Sequence, residues 1–145
     1  KTAIEMTDGV FQNAIGEIDK LDAKKVKRVV FCSGKVYYDL LKERREREQT
    51  DVAIVRIEQL YPFPAEEVAE ILKEYKHVKD FVWCQEEPQN QGAWYSSQHH
   101  FRAAIPKGAD LTYAGREASA APAVGYLSEH NKQQQKLVDD ALTIK

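Results

Sequence analysis

The sequence predicts a layered α/β domain with a mostly parallel sheet, on three observations. Short segments rich in β-branched and aromatic residues alternate along the chain with segments whose apolar residues recur at helical spacing. The candidate strands Arg28–Cys32 and Asp51–Ile57 are almost continuously apolar, which is typical of strands buried on both faces of a sheet. A chain of 145 residues is also long enough to bury one substantial core.

Five strands are predicted in chain order. The first is weak, because its apolar residues alternate over only a few positions, and we place it at an edge of the sheet. The other four contain the β-branched and aromatic residues that favour strands. The predicted strands are Phe11–Glu17, Arg28–Cys32, Asp51–Ile57, Phe81–Cys84 and Asp110–Gly115.

Four helices are predicted between and after these strands. The first follows Ser33-Gly34-Lys35 and ends in the charged run 42–48, whose alternating signs indicate a solvated helix end. The second begins at Pro64, a residue suited to the first turn of a helix, and Glu66 and Glu67 suit its positive end. The third and fourth run from about Gly92 to Ala104 and from about Gly125 to Leu142.

Composition excludes several classes of protein. A net charge of −2 gives no basic face for nucleic acid, and no apolar run approaches the roughly 20 residues that cross a bilayer. Cys32 and Cys84 each end an apolar run, so we expect buried, reduced thiols. Their spacing matches no zinc motif, and no metal site is predicted.

A polar corner follows the predicted strand Phe81–Cys84. It contains Glu86, Glu87, Asn90 and Gln91, and sites of open α/β sheets lie at the carboxyl ends of strands. Neighbouring carboxylates on extended backbone point apart, so paired acid–base chemistry is not expected. The corner is either a solvated turn or an interface or site-mouth cluster. The tryptophans that flank it, at positions 83 and 94, are expected in the core.

Two further groups have both a structural and a functional interpretation. His99 and His100 lie roughly 100° apart on the predicted helix, so they cannot both be ligands on one face, and one can be buried while the other is exposed. A role near an active site stays open for them. Ser33-Gly34-Lys35 is either a serine cap of the following helix or an anion or interface contact. It is not a complete P-loop.

Four long motifs identify a family resemblance. The chain resembles the C-terminal domain of the decarboxylating component of 2-oxoglutarate dehydrogenase, a thiamine-diphosphate enzyme, and its bacterial forms in particular. The matching motifs are Arg28–Leu40, Asp51–Pro62, Gln85–Trp94 and Ala121–Gln135.

The resemblance implies a specific architecture. This is a transketolase C-terminal-like fold, a three-layer α/β/α domain whose five-stranded sheet is mostly parallel with one antiparallel edge strand, which we place at Phe11–Glu17. It also implies a linker over residues 1–10, a domain over residues 11–145 and a full chain several times longer.

The resemblance also implies a function for the full enzyme. Such enzymes of the tricarboxylic acid cycle decarboxylate 2-oxoglutarate on thiamine diphosphate with Mg²⁺ and pass the succinyl group to the lipoyl arm of a dihydrolipoamide succinyltransferase core. A homodimer in the bacterial cytoplasm is implied. The cofactor signature of the superfamily, GDG followed by paired asparagines, is absent here, since Asp8-Gly9 lacks both parts. We therefore expect no cofactor, no catalytic residue and no turnover in this chain alone.

By the resemblance, this domain supports the dimer and shapes the approach to the active site. We assign that role to the residues Glu86, Glu87, Asn90, Gln91, Gly92, Trp94, His99 and His100. The alternatives are a regulatory module that binds an anion or nucleotide at Ser33-Gly34-Lys35, and a dimerisation domain without a site. Some relatives bind acetyl-CoA through basic residues after the second proline of a turn, where this chain has Ala65-Glu66-Glu67, a sequence of the wrong sign for a polyphosphate.

Overall fold

The computed structural model describes residues 13–116 and 127–144, which form a five-stranded sheet covered by four α-helices. The strands are β1 Ala14–Ile15, β2 Arg28–Cys32, β3 Val52–Ile57, β4 Asp80–Pro88 and β5 Asp110–Arg116. The helices are α1 Val36–Glu46, α2 Ala65–Leu72, α3 Trp94–Ala104 and α4 Leu127–Leu142. Single 3₁₀ turns lie at Ala23–Lys25 and Lys73–Tyr75.

The strand order is β1-β3-β2-β4-β5. The β3–β2, β2–β4 and β4–β5 pairs are parallel, whereas β1 pairs antiparallel with β3, with Ala14 opposite Ile57. The predicted mostly parallel sheet with one antiparallel edge strand is therefore confirmed. The edge strand is shorter than predicted, since Asn13, Gly16 and Glu17 are described and lie outside it; positions 11 and 12, like the predicted linker, lie outside the described residues.

Two helices cover each face of the sheet, which confirms the three layers. Buried residues of α2 and α3 share one apolar cluster with alternate residues of the strands, among them Val68, Phe101, Phe31, Phe81 and Trp83. Buried residues of α1 and α4 share the opposite cluster, among them Leu40, Leu137, Val30, Ile54 and Val82. Since β2 is buried along its whole length, its continuous apolar sequence is explained.

Two predicted boundaries near the polar corner differ from the structure. β4 continues four residues beyond Cys84 because the register shifts between Cys84 and Pro88, and Pro88 still pairs with Arg116 of β5. The predicted corner is therefore an irregular extension of the strand. α3 begins at Trp94, two residues later than predicted, because Gly92 adopts a φ of 70°, which is incompatible with a right-handed helix.

The interpretation of residues 42–48 as a solvated helix end is wrong for Arg44. Its side chain is 1% exposed and forms ion pairs with Glu17 and, at 2.6 Å, with Asp19. It also donates to the carbonyl oxygen of Val52 at 3.1 Å, and Glu17 accepts from the amide of Ile54 at 2.8 Å. The cluster therefore joins α1 to the segment after β1 and to β3.

Acid should weaken this cluster. Hydrogen bonds from Arg45 and then Arg44 hold the pKa of Asp19 below its ordinary value, against the opposing effect of burial. A carboxyl whose pKa is lower in the folded protein stabilises it above the unfolded pKa of about 3.9 and loses that contribution as the pH falls through the folded value. We expect Asp19→Asn to flatten the fall in unfolding free energy below about pH 4. Urea denaturation at a series of pH values measures this, and parallel curves for the two proteins would contradict it.

The two cysteines lie side by side on β2 and β4 and are fully buried, as predicted. Burial raises the pKa of Cys32 well above its ordinary value and that of Cys84 to about 12. Because the thiolate is the reactive form, we expect iodoacetamide at pH 8 to leave both thiols unmodified in the folded protein and to alkylate both in urea. Mass spectrometry reads the result, and rapid alkylation of the folded protein would show that this part of the core opens readily.

Arg28, at the start of β2, holds the end of α4. Its guanidinium donates to the carbonyl oxygens of Asp140, Ala141 and Thr143, each at 3.0 Å, and pairs with Asp80 at 2.8 Å. These are carbonyls that the end of a helix leaves without intrahelical partners.

We expect Arg28→Met to lower the free energy of unfolding by about 1.5–3 kcal/mol, because a hydrogen bond to a charged group contributes about that much. Faster amide hydrogen exchange in the last turn of α4 than in α1 would locate the effect. Uniformly faster exchange through both helices would contradict a local role.

Candidate functional site

The parallel strands bring several polar segments together at their carboxyl ends, which we call the carboxyl-terminal edge of the sheet. β2, β3, β4 and β5 all end there. The polar segments at this edge are Ser33-Gly34-Lys35, Glu58, Gln85–Gly92 and Arg116. We call Gln85–Gly92 the corner. Because crevices at the carboxyl ends of parallel strands are the usual sites of α/β sheets, the corner is the candidate functional site.

Gln85 is buried under the corner and binds its backbone carbonyl oxygens. It is 2% exposed, and its carboxamide nitrogen lies 3.0 Å from the carbonyl oxygens of Glu87 and Pro88 and 2.8 Å from that of Gln91. Its Oε1 accepts a hydrogen bond from the indole of Trp83 at 2.8 Å. The backbone carbonyls of the corner therefore point inward at one buried amide.

Gly92 leaves room for the Gln85 carboxamide because it has no Cβ. A Cβ at position 92 would lie 3.1 Å and 3.2 Å from Oε1 and Nε2 of Gln85 and 3.2 Å from Oε1 of Glu87. The residue also has a φ of 70°, a conformation that glycine adopts readily. Any other residue at this position would be strained and would press on the Gln85 carboxamide.

Tyr113 and Arg116 of β5 also donate hydrogen bonds to the backbone of the corner. The Tyr113 hydroxyl donates to the carbonyl oxygens of Arg116 at 2.7 Å and Glu87 at 3.3 Å. Burial raises the pKa of Tyr113 to about 12, so it remains a donor at neutral pH. Arg116 donates to the carbonyl oxygen of Glu86 and to the side-chain oxygen of Gln134 at 3.0 Å.

The adjacent carboxylates Glu86 and Glu87 have different surroundings. The half-buried Glu86 accepts a hydrogen bond from Gln134 of α4 at 3.0 Å, and the same amide donates to Asp39 of α1 at 2.8 Å. Glu87 is exposed and lies beside Gly92. The two side chains do not form a facing acid–base pair, as expected from their adjacency.

The remaining corner residues divide by exposure. Asn90 and Gln91 are exposed at the surface of the corner. Trp94, the first residue of α3, is 7% exposed and packs on the ring of Tyr113 at a centroid distance of 5.3 Å. Both tryptophans thus lie in the core, as predicted, and Trp94 supports the corner from within.

His99 and His100 lie further along α3, roughly 8–9 Å from its start at a rise of 1.5 Å per residue. Both are exposed, so neither is the buried histidine that the spacing allowed. Their ring centroids are 3.9 Å apart, and the ring of His100 stacks on that of Phe63 at a centroid distance of 4.9 Å. With Tyr61 and Tyr95, 66% and 59% exposed, these residues form an aromatic surface beside the corner.

Ser33-Gly34-Lys35 lies at the same edge and does not form a serine cap. The residue that precedes α1 is Lys35, no side chain caps the helix, and Gly34 has a φ of 80° with open space around it. The serine-cap interpretation is therefore wrong, because the helix begins two residues later than a Ser33 cap requires. Gly34 and Lys35 are exposed.

The candidate site does not suit a divalent cation. Over residues 13–116 and 127–144, no group of three or more histidine, cysteine, aspartate or glutamate side chains converges as metal ligands would. The donors at the corner are mostly engaged with its own backbone. These residues therefore do not fit the Mg²⁺-diphosphate group of thiamine diphosphate. None of the helices in the described part is long and apolar enough to cross a membrane.

Sequence reasoning placed Gln85 in the corner but assigned it no role, and it missed Tyr113 and Arg116. A signal for Gln85 was present. Phe81, Trp83 and Gln85 alternate on one face of β4, so a strand that continued past Cys84 would carry Gln85 into the core. No sequence signal marked Tyr113 or Arg116, because their contacts depend on the shifted register between β4 and β5.

Comparison with known proteins finds a matching family and similar sequences over nearly the whole chain. The family model described as 2-oxoglutarate dehydrogenase C-terminal matches residues 2–142. The 2-oxoglutarate dehydrogenase E1 component of Haemophilus influenzae is 66% identical over 139 residues, which cover 96% of this chain and 15% of that protein. The E1 component of Azotobacter vinelandii is 58% identical over 146 residues, which cover 99% of this chain and 16% of that protein.

One solved structure has a looser likeness. It is the 2-oxoglutarate:ferredoxin oxidoreductase from Magnetococcus marinus, with a TM-score of 0.49 and 13% sequence identity, over 92% of this chain and 21% of that one. The chain spans about a sixth of the length of the curated relatives it matches, at 15% and 16% of each.

Proposed function

The chain belongs to the 2-oxoglutarate dehydrogenase C-terminal family, and from that premise we propose that it is the C-terminal domain of a bacterial 2-oxoglutarate dehydrogenase. The full enzyme oxidatively decarboxylates 2-oxoglutarate and succinylates a lipoyl group in the tricarboxylic acid cycle. This domain supports the subunit arrangement and shapes the approach to the active site. It has no turnover of its own.

One observation carries the proposal. A family match over residues 2–142 includes the whole corner, and the corner is built from buried hydrogen bonds at the edge of the sheet where α/β proteins place their sites. Glu87, Asn90 and Gln91 are exposed there, in the place where they would line an approach. The aromatic surface with His99 and His100 adjoins it and is the second candidate contact.

Thiamine diphosphate and Mg²⁺ belong, in this proposal, to other parts of the full enzyme. The cofactor supplies the electron sink for decarboxylation when it is bound there. What this chain contributes is the shape and the polar lining at the mouth of the site.

The partners in this proposal are the rest of the same polypeptide, a second subunit in a homodimer and the dihydrolipoamide succinyltransferase core. The relatives are bacterial, which supports a place in the bacterial cytoplasm. The regulatory alternative at Ser33-Gly34-Lys35 gains no support from these relatives.

The proposal is tested by 2-oxoglutarate-dependent reduction of an artificial electron acceptor with thiamine diphosphate and Mg²⁺. Three samples are compared: the 145-residue chain alone, a longer polypeptide that carries the cofactor-binding domains without it, and the full-length polypeptide. We expect activity only in the full-length sample, or on mixing the first two. Activity of the isolated chain would overturn the supporting role, and full activity of the polypeptide that lacks the chain would make the domain dispensable for catalysis.

The corner has its own test. The double variant Asn90→Ala/Gln91→Ala in the full-length enzyme removes two exposed side chains and leaves the buried hydrogen bonds from Gln85 in place, because Gln85 contacts the backbone. We expect KM for 2-oxoglutarate to rise by about three-fold or more, with kcat little changed. An unchanged KM would remove the corner from the approach to the active site.

A further inference from the structure

We propose that Gln85 is a positioning residue, which holds the corner in the shape that the active-site approach requires. This inference rests on the proposed function. It adds a buried side chain that touches no substrate and acts through the backbone of its neighbours. Tyr113 is its partner in that role.

The hydrogen bonds of Gln85 use its whole carboxamide. The two N–H groups of the nitrogen are shared among three carbonyl oxygens of the corner, and the oxygen accepts from Trp83. A buried amide needs such partners, since a polar group left without them in the core costs about 1–3 kcal/mol. Of these carbonyls, that of Gln91 accepts from no other side chain in the described part of the chain, whereas that of Pro88 also accepts from the backbone amide of Gln91 at 2.8 Å.

The geometry explains why an apolar residue would not serve at position 85. With three carbonyls turned inward to one amide, the side chains of Glu87, Asn90 and Gln91 are left on the outside of the corner. Without the amide, buried carbonyls would turn toward water, and the exposed side chains would turn with them. The same amide therefore determines which groups the corner presents.

Two neighbours restrict the corner further. Tyr113 binds the carbonyl oxygen of Glu87 that Gln85 also binds, so this oxygen has two donors. Gly92 approaches Gln85 so closely that a methyl group in its place would press on the carboxamide. Together, these two contacts restrict the backbone conformation of the corner, as a preorganised site requires.

Gln49 offers a matched control. It also donates from its amide to a backbone carbonyl, that of Leu142, at 2.7 Å. That contact joins the segment after α1 to the end of α4 and does not involve the corner. Gln49→Met and Gln85→Met thus make the same chemical change in two places, one remote from the corner and one beneath it.

The experiment compares these two variants in the full-length enzyme, by thermal unfolding and by steady-state kinetics with 2-oxoglutarate. We expect Gln85→Met to lower Tm more than Gln49→Met, because the Oε1 of Gln49 is buried without a hydrogen-bond partner in the described part of the chain. We expect Gln85→Met alone to raise KM for 2-oxoglutarate, by about five-fold, with kcat reduced less than two-fold, because the reacting groups lie elsewhere. Should Gln85→Met fail to fold, Tyr113→Phe replaces it, with an expected rise in KM of about two-fold.

The outcomes separate this inference from the proposed function. If the Asn90→Ala/Gln91→Ala variant raises KM while Gln85→Met and Tyr113→Phe behave kinetically like Gln49→Met, the positioning role is overturned and the corner remains part of the approach. If the double variant leaves KM unchanged, the corner has no role in the approach and both proposals for it fail together. A rise in KM that is confined to the corner variants and absent from Gln49→Met supports both.

Discussion

Arg44→Met is expected to lower the free energy of unfolding by about 3–5 kcal/mol, the range for removing one partner of a buried ion pair. The reason is the carboxylate left behind. The Glu17 side chain is 6% exposed and would lose its ion pair with the guanidinium. Methionine fills much of the volume of the arginine stem but donates no hydrogen bond to Glu17, Asp19 or the Val52 carbonyl. Urea denaturation followed by circular dichroism measures the loss.

The neighbouring residue is the control. Arg45 is 54% exposed at its side chain and pairs with Asp19 alone among the described carboxylates. Exposed ion pairs contribute little to stability, so Arg45→Met should be nearly neutral. Equal losses for the two variants would mean that the charge of the helix, and not the buried pair with Glu17, stabilises this part of the fold.

Gly92→Ala is expected to lower the free energy of unfolding by about 2–3 kcal/mol, which combines a backbone and a steric contribution. A residue with a Cβ costs about 1–2 kcal/mol at a positive φ such as the 70° of Gly92. The added methyl group would also lie 3.1–3.2 Å from the Gln85 carboxamide, which its hydrogen bonds hold in place. Thermal or urea unfolding gives the total.

Gly34→Ala isolates the backbone contribution. Gly34 has a φ of 80°, but no atom lies within 4 Å of a Cβ built there. Its substitution should cost about 1–2 kcal/mol, from the positive φ alone. The difference between the two variants then measures the contact with Gln85, and identical losses would show that the corner yields to an added methyl group.

The fold was predictable from sequence because its strands and helices have strong and separate patterns. Continuous apolar runs such as Arg28–Cys32 mark strands buried on both faces, and the order of elements leaves few topologies open. The edge strand itself was predicted from a weak alternation of apolar residues, and its antiparallel pairing with β3 came from the family resemblance.

The charged residues were harder to predict. Arg44 lies in a run of alternating charges, which usually indicates a solvated helix face. Its position, four residues after Leu40 and three after Leu41, continues the buried stripe of α1. Helical periodicity therefore predicts that Arg44 is buried, whereas the charged composition of the run predicts that it is exposed. The outcome depends on Glu17 and Asp19, which are 27 and 25 residues away in sequence, and no local pattern shows such a pairing.

The candidate site was predictable in location but not in construction. The carboxyl ends of parallel strands directed attention to the corner, and the exposed positions of Glu87, Asn90 and Gln91 agree with that. The role of Gln85 depends on three backbone carbonyls that turn inward, and the direction of a carbonyl in an irregular strand cannot be derived from residue types.

The contacts between Arg28 and the end of α4 affect how the domain assembles during synthesis. The carbonyls that Arg28 binds come 112, 113 and 115 residues later in the chain. At translation rates of roughly 5–20 residues per second, roughly 6–23 s pass between the synthesis of Arg28 and that of its last partner. During that interval the contacts that Leu137 and Val138 of α4 make with the apolar cluster on that face of the sheet are absent. The contacts of Arg28 therefore complete the domain only after the residues up to Thr143 have been synthesised.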